Sequence, residues 1–255
     1  MVNHIVHDGG VVEFPDVMNI DPDALAAWME LRRECEPPDY TLNEDGNYVN
    51  RGGYTFTPEQ CAGSPTRFLN LTPDGEDTTF HDQIRTVMYD CLVKYVEEYP
   101  SVARSIWWRT DGQIATYKDG QSMGSHQDRE IEYTPGEVPI SEAPVFNEIT
   151  GSIILQGCGE GGFLKFALDG AAIPPIPGTV IFYPSNYIGA HAVTSVREGE
   201  RIAYIEFYGQ GTPPGGQGTG QVWFSELINP HTGNQDFDAP PLGTSDPEAS
   251  SEAVA

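Results

Sequence analysis

Between positions 105 and 208 the chain repeats one pattern: a short run of β-branched, aromatic and aliphatic residues, then a turn of Gly, Pro or Asp. The runs are 105–109, 113–118, 151–156, 162–166, 179–183, 190–196 and 201–208. The turns are Asp111-Gly112, 159–162, 174–178 and Glu198-Gly199-Glu200. No helical periodicity interrupts them. Strands at this spacing close most simply as an antiparallel sandwich or a small barrel.

The first hundred residues read differently. Asp21 before Pro22 has the form of an N-cap and first helical position, with Leu25, Trp28, Met29 and Arg32 following at helical spacing. Phe80, Ile84, Val87, Met88, Cys91, Leu92, Tyr95, Val96 and Tyr99 recur at steps of three and four. Thr79 with Asp82 reads as its capping start and Pro100 as its stop. Such a stripe is packing surface, so we expect a helix that buttresses a sheet. The Gly/Pro/Asn/Asp-rich stretch 37–73 between these helices leaves room for short strands near Tyr54 and for substrate-facing loops. We expect one domain over 1–211, with helical support in 1–103 and a β-barrel core from about 104 to 211. Segment 212–255 begins with a Gly/Pro-rich linker and ends in an acidic, Pro- and Ser-rich tail that we expect to be mobile, with 222–228 as one short docked element.

Charge narrows the partners. Thirteen basic against 38 acidic residues give a net charge of −25, and the lysines are Lys94, Lys118 and Lys165 alone. This surface repels phosphate backbones and anionic lipid, so we expect neither nucleic-acid nor membrane binding. No apolar run approaches the roughly 20 residues of a membrane helix. Positions 1–10 lack a basic stretch followed by an apolar one, so we expect no secretory signal and a cytoplasmic location. Cys35, Cys61, Cys91 and Cys158 form no CxxC pair and read as buried thiols of a reducing compartment.

Chemistry concentrates at two places. In His126-Gln127-Asp128, extended backbone would point the imidazole and the carboxylate to one face. His191 opens the run 190–196. Two imidazoles and one carboxylate on one side of an ion leave its other side open, an arrangement suited to Fe(II) with a bidentate cosubstrate and dioxygen. Arg201 follows ten residues after His191, across the Glu198–Glu200 turn. Pairing 190–196 with 201–208 as a hairpin would bring it beside the metal. A guanidinium inside an apolar barrel requires an anion, and its planar fork matches a carboxylate. A dicarboxylate would chelate the ion at one end and dock on Arg201 at the other.

The ordered set HQD, GEGGFLKF and PGTVIFYPSNYIGAHAVTSVREGER resembles the iron(II)- and 2-oxoglutarate-dependent dioxygenases, closest to the prolyl-4-hydroxylase-like branch, over roughly residues 113–208. The resemblance implies a mainly β fold with flanking helices: a double-stranded β-helix, jelly-roll or cupin-like, buttressed by the N-terminal helices. It implies His126, Asp128 and His191 as iron ligands and as the catalytic centre, with Fe(II), 2-oxoglutarate and O2 as the cofactor set. It implies Arg201 on the distal carboxylate of 2-oxoglutarate, where prolyl hydroxylases use lysine. Arginine-type relatives often carry Ser two positions later, whereas this chain has Ala203. Tyr117 matches a tyrosine that the family uses on 2-oxoglutarate, and Thr194 is a second candidate. Asp128 argues against the related halogenases, which have Ala or Gly there.

The resemblance therefore leads us to expect a hydroxylase of a small molecule, an amino acid or a biosynthetic intermediate. A peptidyl prolyl hydroxylase is the alternative within the class. A cupin-like metal-binding protein or isomerase, or a metal-free binding protein, is the alternative outside it. Segment 129–146 follows the ligands directly, and Arg129, Glu130 and Glu132 are candidate substrate contacts, the carboxylates favouring an amine. His81, followed by Asp82 on the second helix, reads as a solvated or satisfied pair, and His4 and His7 as part of a fraying end.

Overall fold

A computed structural model describes residues 3–35, 40–50, 55–68, 78–106, 108–110, 112–129, 146–210 and 221–223. The first strands are β1 (Ile5–Val6) and β2 (Val12–Phe14), followed by helix α1 (Pro22–Cys35). Strands β3 (Tyr40–Leu42), β4 (Tyr48–Asn50) and β5 (Thr55–Phe56) form a small sheet of their own. Then come α2 (Pro58–Gly63), β6 (Thr66–Phe68) and α3 (Thr79–Glu98). The barrel strands are β7 (Trp108–Thr110), β8 (Gln113–Tyr117), β9 (Met123–His126), β10 (Phe146–Gln156), β11 (Glu160–Gly161), β12 (Leu164–Phe166), β13 (Ala172–Ile173), β14 (Val180–Pro184), β15 (His191–Val193), β16 (Val196–Arg197) and β17 (Arg201–Gln210). A last strand, β18 (Gln221–Trp223), pairs with β7 and is the described part of the expected linker and tail.

The major sheet runs β1-β2-β14-β10-β17-β7-β18, and β8 and β6 extend it beside β17. Facing it is the four-stranded sheet β13-β12-β15-β9. Every pairing is antiparallel, and the two sheets form a double-stranded β-helix. Strand alternation separates two cores. Val180 and Phe182 of β14, with Ile202, Tyr204 and Tyr208 of β17, pack outward against α1 and α3. Ile181, Tyr183 and Ala203 point into the barrel with Leu164, Phe166 and Val193.

The helices lie where the stripes predict. Asp21 Oδ1 accepts from the Asp23 amide at 2.9 Å, capping α1, and Leu25, Trp28, Met29 and Arg32 are buried. On α3, Ile84, Met88, Leu92 and Val96 are buried against the sheet, each contributing roughly 1.5–3 kcal/mol. Its start differs by one residue. Thr78 is the cap, and its hydroxyl donates to Asp82 at 2.6 Å instead of closing a box from Thr79.

Three other expectations are corrected. The N-terminal hundred residues are not only helical support, because β1, β2 and β6 join the major sheet. His4 and His7 do not fray: His4 Nε2 lies 3.0 Å from Glu98 and His7 Nε2 3.0 Å from Glu13, on either side of the β1–β2 pair. His81 is fully buried and not solvated beside Asp82. Its Nε2 sits 3.1 Å from the Tyr204 hydroxyl, which itself donates to Glu206 at 2.6 Å. Nε2 is therefore the protonated nitrogen, and Nδ1 has no partner among the described residues.

Candidate metal centre

The hairpin expected between 190–196 and 201–208 does not form. The first run breaks after Val193, where the Thr194 amide bonds Phe163 O at 3.0 Å and β16 pairs with β11. Strand β15 stays in the four-stranded sheet between β12 and β9, while β17 lies in the major sheet between β10 and β8. The chain thus changes sheets at the Glu198–Glu200 turn, and Arg201 approaches the centre from the opposite wall.

Register places the two histidines. His191 is the cross-strand partner of His126, so both rings project from one face, with centroids 4.4 Å apart. Each ring is oriented in the same way. His126 Nδ1 lies 2.9 Å from Gly124 O, and His191 Nδ1 lies 3.0 Å from Gly189 O. A carbonyl can only accept, so Nδ1 carries the proton and Nε2 presents its lone pair. Asp128 lies beyond the end of β9 in a turn, not in extended backbone as expected. That turn is held by Asn147 Nδ2 donating to Asp128 O at 2.9 Å and by the Arg129 amide donating to Ser185 O at 2.8 Å.

The Asp128 carboxylate reaches both rings. Oδ1 is 3.5 Å from His126 Nε2 and Oδ2 is 3.9 Å from His191 Nε2. One ligand atom from each of the three residues lies within 4.8 Å of the others. Oδ2 accepts from Thr150 Oγ1 at 2.8 Å and from the Tyr183 hydroxyl at 3.1 Å, so Oδ1 is the oxygen left to face an ion. Ser185 Oγ supports Thr150 at 2.8 Å, and Tyr183 also lies 3.3 Å from His191 Nε2. Burial opposes ionisation of Asp128, but the His126 contact, the histidine charges and the Thr150 hydroxyl outweigh it and hold the pKa at about 2. Burial lowers His191, keeping its imidazole neutral, as a ligand requires. Side-chain exposure is 25% at His126 against 5% at His191, so the centre opens on the His126 side.

Burial opposes protonation of His126, but the Asp128 carboxylate and the Gly124 carbonyl outweigh it and raise its pKa, so an ion would displace a proton from this ring. Two imidazole nitrogens and one carboxylate oxygen, converging with their second atoms already engaged, are the donor set of a facial divalent-metal site. The residues present fit Fe(II).

Arg201 lies in the same barrel. It is the register partner of Tyr117, and its guanidinium stands over the Tyr117 ring at 5.2 Å from the centroid. Arg201 is 3% exposed, its Nε has no hydrogen-bond partner, and among the described residues no carboxylate pairs with it. Gly162 makes room for it: a Cβ there would lie 3.2 Å from Arg201 Cδ and 2.8 Å from Cys158 Sγ, and its φ of +66° suits glycine.

The other expected contacts divide. Thr194 Oγ1 accepts from the Phe163 amide at 3.0 Å, fastening β15 to the β12 side. Arg129 pairs with Glu148 at 2.9 Å. Glu130 and Glu132 lie outside the described residues. Sequence reasoning missed Thr150, Tyr183, Ser185 and Asn147. The available signal was alternation in VIFYP, which puts the Tyr183 hydroxyl on the barrel face beside Ile181.

No family model matches the chain, and no curated protein sequence matches it. Solved structures do match. A prolyl hydroxylase from Trichoplax adhaerens, in complex with a hypoxia inducible factor oxygen degradation domain peptide fragment, is 13% identical with a TM-score of 0.51, over 79% of this chain and 84% of that one. A viral collagen prolyl hydroxylase from Paramecium Bursaria Chlorella virus-1, as a 2OG complex, is 16% identical with a TM-score of 0.49, over 79% and 96%. A Pseudomonas putida prolyl-4-hydroxylase is 14% identical with a TM-score of 0.49, over 80% and 94%. The likeness to the first of these is one of fold.

Proposed function

We propose that this chain is an Fe(II)- and 2-oxoglutarate-dependent oxygenase that hydroxylates an unactivated C–H bond of a small molecule, an amino acid or a biosynthetic intermediate. One observation carries the reading: three residues that could hold a metal ion converge in the barrel whose opposite sheet carries a buried guanidinium with no carboxylate partner among the described residues. A protein that only bound a metal would have no use for the second feature, because an unpaired buried charge is costly. A dicarboxylate long enough to reach both answers it.

His126 and His191 would hold the iron through Nε2 and Asp128 through Oδ1. Bound there with 2-oxoglutarate and dioxygen, iron supplies the oxidising power for C–H hydroxylation, with succinate and CO2 as coproducts. The chain's own residues do the rest. Arg201 binds the distal carboxylate of the cosubstrate, and Tyr117 stacks on its guanidinium and holds it in place. Thr150 and Tyr183 keep Asp128 turned toward the ion. Leu164, Phe166, Val193 and Ile154 line a barrel that excludes water. A peptidyl prolyl substrate is the second reading. It is favoured by the fold shared with a prolyl hydroxylase solved in complex with a peptide fragment.

Anaerobic addition of Fe(II) and 2-oxoglutarate to the purified protein tests the reading. A weak visible charge-transfer band is expected in the wild type and absent in His126→Ala. No band in the wild type, or one that survives the substitution, refutes it.

A further inference from the structure

Strand β6 adds one arginine to this cavity that no role above uses. Phe68 is the register partner of Ile114, and both belong to the core under the helices. By alternation Arg67 takes the other face, and its partner Ala115 belongs to the barrel interior. Ala115 in turn pairs with Ala203, also on the inner wall. The row Arg67–Ala115–Ala203 thus sets a long cation beside two of the smallest side chains of the inner wall. Arg67 is half-buried and, among the described residues, has no ion-pair or hydrogen-bond partner. The β6–β8 register therefore sets Arg67 on the barrel face of the sheet, the face that also carries Tyr117 and Arg201. It occupies a different row from Arg201, whose partner is Tyr117.

A chain of net charge −25 with 13 basic residues keeps this guanidinium without an ion-pair partner among the described residues, on the inner face of the barrel that holds its proposed active site. We propose that Arg67 is the recognition residue for a carboxylate carried by the substrate. The inference rests on the oxygenase reading in that it takes the space in front of His126 and His191 as the place where substrate sits. A single planar fork satisfies a monoanionic carboxylate in full. A phosphate ester would need a second cation, and the three lysines lie elsewhere: on α3, after β8 and on β12. The carboxylate belongs either to a free amino acid or to the C terminus of a peptide.

The test is calorimetric binding to Fe(II)-loaded protein held anaerobically, with and without 2-oxoglutarate, so that nothing turns over. The probes are free L-amino acids, each against its carboxamide, and a Gly-Pro-Gly peptide with a free or an amidated C terminus. At least one acid should bind about tenfold more tightly than its amide, as expected of one charge-assisted fork. Arg67→Gln should bring the pair together, Arg67→Lys should keep part of the difference, and both should bind 2-oxoglutarate as the wild type does. Whether the amino acid or the peptide shows the preference identifies the source of the carboxylate. An acid preference that survives Arg67→Gln overturns the proposal, as does a wild type that binds no acid of the panel while binding 2-oxoglutarate. If 2-oxoglutarate does not bind but the acid preference disappears in Arg67→Gln, the oxygenase reading falls and the role of Arg67 stands.

Discussion

Replacing Thr150 by Val and Tyr183 by Phe should weaken the metal centre without altering a ligand. Asp128 Oδ2 accepts from both hydroxyls, at 2.8 and 3.1 Å. A hydrogen bond to an ionised acceptor contributes about 1.5–3 kcal/mol. Both bonds exist before an ion arrives, so most of that contribution belongs to folding. Metal binding draws on the orientation they impose. With one donor removed the carboxylate can turn, and capturing it again costs roughly 0.5–1.5 kcal/mol of rotamer freedom. A more basic Oδ2 pulls the other way, but that oxygen faces away from the ion, so orientation wins. We expect either single variant to bind Co(II) about threefold more weakly and the double variant about tenfold, the full orientation cost of one carboxylate. Anaerobic titration of the metal-free protein, followed by visible absorption against a competing dye, measures this. Circular dichroism verifies the fold of each variant. A double variant that binds Co(II) as tightly as the wild type would refute the reasoning that Oδ1 is presented because Oδ2 is engaged.

Three further outcomes follow. Arg201→Ala should raise the Kd for 2-oxoglutarate by about a hundredfold, from the lost bidentate pair, while Co(II) affinity stays unchanged; calorimetry reads both. Gly162→Ala should weaken 2-oxoglutarate more than metal, because the new Cβ displaces Cys158 and Arg201 and the φ of +66° is strained for alanine. Burial, helped by the Arg85 charge, lowers His81 from 6.5 to about 4. The folded chain thus resists a proton that the unfolded chain takes up: stability from this group is full above pH 6.5 and falls as pH drops toward 4. The loss is about 3 kcal/mol at most. Urea unfolding at pH 7 and pH 4.5 should therefore show a smaller decrease in His81→Phe than in the wild type, whereas equal decreases would contradict it.

What was legible in the sequence was periodic or local. The α3 stripe, the Asp21 cap and the Gly/Pro turns each declare themselves within a few residues, and the structure has them within one position or two. His126, Asp128 and His191 were legible because ligand chemistry restricts residue type. Pairing was less legible. The Glu198–Glu200 turn looks like a hairpin, yet β15 and β17 lie in different sheets, because hydrogen bonding from Phe163 and β11 holds the first run in place. Thr150 and Tyr183 escaped for a related reason: a hydroxyl in an apolar strand gains meaning only from a carboxylate that sits 22 or 55 residues earlier. Arg67 is similar, since its place depends on the β6–β8 register.

The two histidines proposed as metal ligands and the hydroxyls that orient Asp128 belong to different layers. His126 and His191 come from the four-stranded sheet, while Thr150 and Tyr183 come from β10 and β14 of the major sheet. An ion held there rivets the two layers together at one end of the barrel. Chelating it away should quicken amide exchange along β9 and β15 while leaving α3 protected, so the departure of the cation would register as a loosened seam long before any helix melts.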